Sequence, residues 1–106
     1  MTEEYVVVCI TAGNQTLARR LARALVERRV AACVNTVPQI ESCYRWQGRM
    51  ETDAEALLLV KTRRDLVPEV RRIVSELHTA DVPEVIALPI IDGSPAYLDW
   101  IGEVTR

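Results

Sequence analysis

Ala31 to Thr62 reads AACVNTVPQIESCYRWQGRMETDAEALLLVKT, and it divides into two long arms at Gln47-Gly48. Before the turn, Val30 to Val34 is an apolar run. Farther out, Ser42, Tyr44 and Trp46 fall on one face of an extended chain and Cys43 and Arg45 on the other, because successive strand side chains alternate. After the turn, Glu51, Asp53 and Glu55 alternate with Thr52, Ala54 and Ala56 before the apolar run Leu57-Leu58-Leu59-Val60. Pro38 removes a ladder donor from the first arm, so a bulge or bend is expected there. Each arm has room for more than about ten residues, against about five or six in an ordinary strand. Such a ribbon outreaches a small domain, and its outer half is expected to protrude or to lie on another surface.

Upstream of the ribbon, Tyr5 to Thr11 (YVVVCIT) is β-branched and apolar at successive positions, the pattern of a strand buried on both faces. Ala12-Gly13 ends it, and Asn14 is placed to cap a helix from Gln15 to about Arg29. Leu17, Leu21 and Leu25 stack along that helix with Ala18 and Ala22 beside them, while Arg19, Arg20, Arg23 and Glu27 face water. Arg28-Arg29 suits the negative end of the helix dipole.

Downstream, Asp65 is placed to cap a second helix reaching His78, with Leu66, Val70, Ile73, Val74 and Leu77 as its apolar stripe and Pro68 in its first turn. The helix dipole at its C-terminus favours the charged form of His78. Thr79 to Pro83 is a loop. Glu84 to Ile91 is a fourth strand, in which Pro89 signals an edge position or a bulge. After the Asp92-Gly93 turn, Ser94-Pro95 opens a short helix carrying Tyr97, Leu98, Trp100, Ile101 and Val104.

Two βαβ units sharing a hairpin give an α+β, ferredoxin-like split βαβ fold: βαββαβ plus a short C-terminal helix, with an antiparallel sheet. Residues 1–106 are read as one domain. In that fold the two main helices cover only one face of the sheet. The other face then carries more apolar surface than a soluble monomer usually shows. A homo-oligomer with sheet faces packed together and ribbons reaching a neighbour is expected, and a closed ring would also satisfy the open strand edges.

Composition narrows the function classes. The hydrophobic fraction is 49% and the net charge −2, with a mean hydropathy of +0.05 and pI near 5.4. That balance argues against a nucleic-acid partner. No apolar run approaches the roughly 20 residues needed to span a bilayer, so no membrane partner is expected. The opening Met1-Thr-Glu-Glu is acidic and leads straight into a strand-like run, unlike a signal peptide, and a cytoplasmic location is expected. The three cysteines cannot all pair, and Cys33 and Cys43 would stand roughly 30 Å apart along one extended arm. No CxxC, HExxH or zinc-finger spacing is present, so the cysteines read first as small buried hydrophobes. Every basic residue but Lys61 is arginine, which marks Lys61 as a place where a compact ammonium serves better than a guanidinium fork.

Ala31-Ala32-Cys33-Val34-Asn35, Pro38, Ser42, Tyr44-x-Trp46-x-Gly48, Glu55, Lys61-Thr62, Pro83-Glu84 and Tyr97-Leu98-x-Trp100-Ile101 occur in order along nearly the whole chain. In these segments the chain resembles the CutA family of divalent-cation-tolerance proteins. The resemblance implies a ferredoxin-like homotrimer, similar in architecture to the PII signalling proteins, and a role in the response to metal ions. It implies weak copper or other divalent-cation binding through Cys33 and His78, with no cofactor required. The family commonly reads His-Pro-Tyr where this chain has His78-Thr79-Ala80, so the loop Thr79–Val82 departs from the pattern. A first-strand cysteine that binds copper in some members falls on Ile10, beside Cys9, whose side chain points to the opposite face.

Four function classes stand beside one another. Thiolate and imidazole at Cys33 and His78 favour copper or zinc over magnesium, but two ligands per chain need help from other subunits. A PII-like small effector could instead sit in an intersubunit cleft lined by Tyr44, Trp46, Lys61, Glu84, Tyr97 and Trp100, although no glycine-rich phosphate loop is present. A Lys61–Glu84 ion pair between adjacent strand ends would explain two of those residues more plainly. No Ser/His/Asp or Cys/His spacing appears, so no enzyme is expected; Glu51, Asp53 and Glu55 share one strand face that could hold a hard cation but read first as exposed strand decoration. An assembly or anchoring module is the remaining reading.

Overall fold

Strand β1 (Tyr5–Ala12) is the axis of the sheet in the computed structural model, which describes residues 4–106. The acidic opening Met1 to Glu3, part of the argument against a signal peptide, lies outside the described residues. Strands β2 (Cys33–Trp46), β3 (Arg49–Arg63) and β4 (Val85–Pro89) complete the sheet in the order β2–β3–β1–β4, with every neighbouring pair antiparallel. Helix α1 (Gln15–Glu27) links β1 to β2, α2 (Val67–Leu77) links β3 to β4, and α3 (Pro95–Val104) follows. This is the expected split βαβ arrangement with its extra helix.

The core lies between the sheet and the two linking helices. Leu17, Leu21 and Leu25 of α1 and Val70, Ile73 and Val74 of α2 meet Val6, Val8 and Ile10 of β1 and Leu58 and Val60 of β3. Burying each such side chain is worth roughly 1.5–3 kcal/mol relative to leaving it in water. Strand β1 does not follow its expected burial on both faces: within one chain only its even-numbered residues from Val6 to Ala12 are buried. Two helices cover one face of a sheet, and Val7, Cys9, Leu57 and Leu59 look the other way, half exposed.

Local signals set most element ends. Asn14 caps α1 as expected, its Oδ1 accepting from the Leu17 amide at 2.8 Å. The helix stops at Glu27, short of Arg29, because Arg29 takes a left-handed φ of 60°. Bonds from Arg29 N to Val26 O and from Val30 N to Leu25 O, both 3.0 Å, close the helix as a Schellman motif. Asp65 does not cap α2. Its carboxylate is held by the Arg63 guanidinium at 2.6 and 3.0 Å, and a 3-10 turn over Arg64–Leu66 leads into the helix instead. A charge-assisted, two-pronged pair outweighs a single cap bond. Strand β4 is shorter than the expected Glu84–Ile91, and Pro89 sits at its end on the sheet edge, where a missing amide donor costs nothing.

The ribbon is as long as the sequence implied. The β2–β3 register slips between Val37 and Ile40, bracketing Pro38, and resumes to Trp46 opposite Arg49. Gln47 (φ 50°) and Gly48 (φ 78°) supply the two positive φ values that a tight two-residue hairpin turn requires. The radius of gyration, 14.2 Å, exceeds the about 13 Å of an ordinary domain of this length. The accessible surface, 6773 Å², likewise exceeds the about 5,900 Å² of a monomer of this mass. Both excesses come from a ribbon that leaves the body of the domain.

Candidate functional site

Two separate groups of the expected site residues form on the open side of the sheet. The first lies where the outer ribbon passes the loop after α2. Tyr44 and Trp46 of β2, Glu55 of β3, Thr11 of β1 and the loop from His78 to Glu84 enclose a cavity of about 710 Å³. Strand alternation puts Tyr44 and Trp46 on one face, and the register sets Tyr44 opposite Glu51 and Ser42 opposite Asp53. The Tyr44 hydroxyl donates to Asp53 Oδ2. That bond, followed by burial and by the charges of Asp53, Glu51 and Glu55, pushes the Tyr44 phenol up to about 12. Glu55 is not exposed decoration as the sequence suggested: it is half-buried in the cavity wall.

His78 anchors the inner end of this cavity. It is the residue just past α2, and its amide still bonds to Val74 O at 2.8 Å. Its Nε2 lies 2.7 Å from the Thr11 carbonyl, and its Nδ1 accepts from the Ala80 amide at 3.0 Å. A carbonyl partner needs a proton on Nε2 and an amide partner needs a lone pair on Nδ1, so these contacts assign the neutral tautomer. The expectation of a charged histidine at the helix end gives way to this pair of bonds. No lone pair of the ring is left to face a metal.

The second group stands at the root of the ribbon. Cys33 of β2 is directly opposite Lys61 of β3, which is opposite Val7 of β1. Tyr97 of α3 lies against the Cys33 thiol; burial, then Cys33, raises the Tyr97 phenol. Its ring packs on Trp100 with centroids 5.4 Å apart. The six cleft candidates therefore divide within one chain: Tyr44, Trp46 and Glu84 at the cavity, and Lys61, Tyr97 and Trp100 at the root.

The same division separates the two metal candidates and the postulated ion pair. Lys61 is level with Val7, whereas Glu84 and the His78 ring are level with Thr11, roughly 13 Å farther along the strand direction. Lys61 on β3 and Glu84, just before β4, also stand on opposite sides of β1, so they form no ion pair within the chain. Cys33 is two strands from β1, so Cys33 and His78 do not meet in one chain. Among the described residues no three His, Cys, Asp or Glu side chains converge on a position for a metal ion. All three cysteines are free, and burial, then Glu84, raises the Cys9 thiol, keeping it protonated and a poor ligand.

Two cavity carboxylates, Glu55 and Asp81, lie outside the expected cleft set, Glu55 being read only as part of an acidic strand face. Glu55 was detectable, since it shares the strand face of Asp53 and Glu51 and hence of Tyr44 across the turn. Asp81 was not, because a loop has no periodicity to read. Among the described residues no helix is long and apolar enough to cross a membrane.

Comparison with known proteins bears on the whole chain. Residues 6–104 match the family described as CutA1 divalent ion tolerance protein. The divalent-cation tolerance protein CutA of Thermus thermophilus is 52% identical over 99 residues, which are 93% of this chain and 96% of that protein. Its solved structure superposes with a TM-score of 0.94 at 50% identity, covering 96% of this chain and 99% of that one. A periplasmic divalent cation tolerance protein CutA from Archaeoglobus fulgidus gives 0.93 at 37% identity, covering 96% and 99%. Mouse protein CutA is 48% identical over 92% of this chain, but the chain spans only 55% of the mouse protein's length.

Proposed function

This chain belongs to the CutA1 divalent ion tolerance family, and from that premise we propose that it serves in the response to divalent metal ions as a homotrimer packed through the open sheet face. The family match over residues 6–104 carries this reading. The assembly is supported by the open face itself. Ile86 and Leu88 of β4 are 53% and 52% exposed beside half-exposed Val7, Leu57 and Leu59, and apolar surface of this kind marks an interface. Strands β2 and β4 also leave their outer edges unpaired. The number three is what the family resemblance implies.

Metal contact, in this proposal, is weak and centred on Cys33, whose soft thiolate favours copper or zinc over magnesium. His78 joins only if its ring gives up Thr11 or Ala80, so the remaining donors come from other copies of the chain. No cofactor and no catalytic step are assigned. Three free cysteines fit a reducing compartment, and the cytoplasm is the proposed location. Cell fractionation tests it, and recovery from a periplasmic fraction, where the Archaeoglobus relative is named, would overturn it.

Native mass spectrometry of freshly reduced protein tests assembly and metal together. A trimer mass, with a whole-number copper load that Cys33→Ser abolishes, is expected. His78→Ala is expected to keep that load, because the ring's bonds are structural. A monomer mass would overturn the assembly. A copper load unchanged in Cys33→Ser would overturn the placement of the metal.

A further inference from the structure

The cavity under the outer ribbon has a charge pattern that the proposed metal contact at Cys33 does not use. Its volume, about 710 Å³, falls in the range of small-molecule pockets, about 300–1,000 Å³. Within one chain three carboxylates line it, Glu55, Asp81 and Glu84, and no described lysine or arginine does. Its one histidine is held neutral by its two hydrogen bonds. The wall opposite the loop is aromatic: Tyr44 and Trp46 are 41% and 39% exposed in the single chain. Tyr44, its phenol held in the neutral form, and Trp46 both offer the electron-rich ring faces that attract cations. Sign and shape together select a cationic guest.

A compact divalent ion is the wrong guest, since no three ligating side chains converge among the described residues. The carboxylates are spread instead. Glu55 lies just past the end of β1 on the β3 side and Glu84 level with Thr11 on the β4 side, two inter-strand spacings or about 10 Å across. Charges so spaced fit a guest whose own charges are spaced and whose links are apolar. We propose that the cavity binds an extended aliphatic polyamine, with ammonium groups at Glu55 and Glu84 and methylene links lying on Tyr44 and Trp46. The proposal rests on the small-effector reading of this cavity and is independent of copper at Cys33.

Spermidine is the probe, and the tryptophan beside the cavity is the reporter. In a Trp100→Phe background the only tryptophan left is Trp46. Spermidine is expected to shift its emission saturably, at concentrations at least about tenfold below those of magnesium or hexaamminecobalt, which carry charge without length. Glu84→Gln, on the exposed loop, is expected to weaken binding about fivefold or more, and Glu55→Gln likewise. Glu103→Gln, an exposed acid on α3 outside the cavity, is expected to change nothing. Equal action by hexaamminecobalt, equal weakening in Glu103→Gln, or no saturable shift up to about 10 mM would each overturn the proposal. Should Glu55→Gln fail to fold, Glu84→Gln decides alone. Copper load is read by mass and polyamine binding by fluorescence, so either proposal can fail without the other.

Discussion

The two faces of β1 carry nearly the same chemistry and meet opposite surroundings. Val6, Val8 and Ile10 lie under α1 and α2 with almost no exposed surface, while Val7 and Cys9, their neighbours in sequence, stay half open. The difference owes nothing to hydrophobicity, which is high on both sides. It follows from which elements cover them: α1 and α2 lie on one face, and the short α3 reaches only the root of the other. The covered face holds the fold together, and the open face holds every candidate site. A small domain keeps a face apolar yet uncovered when another surface is to cover it.

The largest effect belongs to the covered face. Leu58 is fully buried between β1 and the helices, and Leu58→Ala should lower unfolding stability by about 2–5 kcal/mol, read from the urea midpoint. Its neighbour Leu59 sharpens the comparison, because it lies on the open face opposite Cys9. Leu59→Arg should leave far-ultraviolet circular dichroism unchanged and shift native mass from the assembly to the single chain. An intact assembly in Leu59→Arg would remove the reason given for the uncovered face.

Smaller effects come from the backbone at the edges of the two regions. Arg29 holds a left-handed φ at the end of α1, and Arg29→Gly should raise stability by about 0.5–1 kcal/mol, read by thermal unfolding. Gly48 holds φ 78° at the ribbon tip with nothing near its α-carbon to clash, so Gly48→Ala should cost about 1 kcal/mol through backbone strain alone. The smallest effect is electrostatic, on the outer surface of the helices. A hydrogen bond from Arg28 (3.1 Å), then its charge, holds the Glu76 carboxyl below its usual range. The pair contributes above the ordinary carboxylate pKa of about 4.3 and is lost as pH falls through the lowered value. Arg28→Ala should therefore be less stable than the parent at pH 7, by an amount that shrinks with salt, and equal to it at about pH 2.

Legibility tracked the range of the interactions. The stripes Leu17-Leu21-Leu25 and Val70-Ile73-Val74 are buried where their spacing put them, and Gln47-Gly48 turns where its residues allow. Asp65 shows where local rules compete. Its type and position suit a helix cap, but Arg63, two residues back, takes the carboxylate first. The site was legible only in pieces. Tyr44, Trp46, His78 and Glu84 were each picked out, and so were Cys33, Lys61, Tyr97 and Trp100, yet nothing local told which belong together.

From the sequence alone came the element order, the long ribbon with its bulge at Pro38, the split βαβ fold and the family. These rest on period-2 and period-3.6 patterns, turn chemistry and segments read along the chain. Only the tertiary structure decided that His78 spends both ring nitrogens on Thr11 and Ala80, that Cys33 stands two strands away, and that Glu55 joins the loop after α2. Those facts depend on strand register and on contacts between distant residues. A shift of one residue in the pairing would have turned Cys33 or Glu55 to the other face.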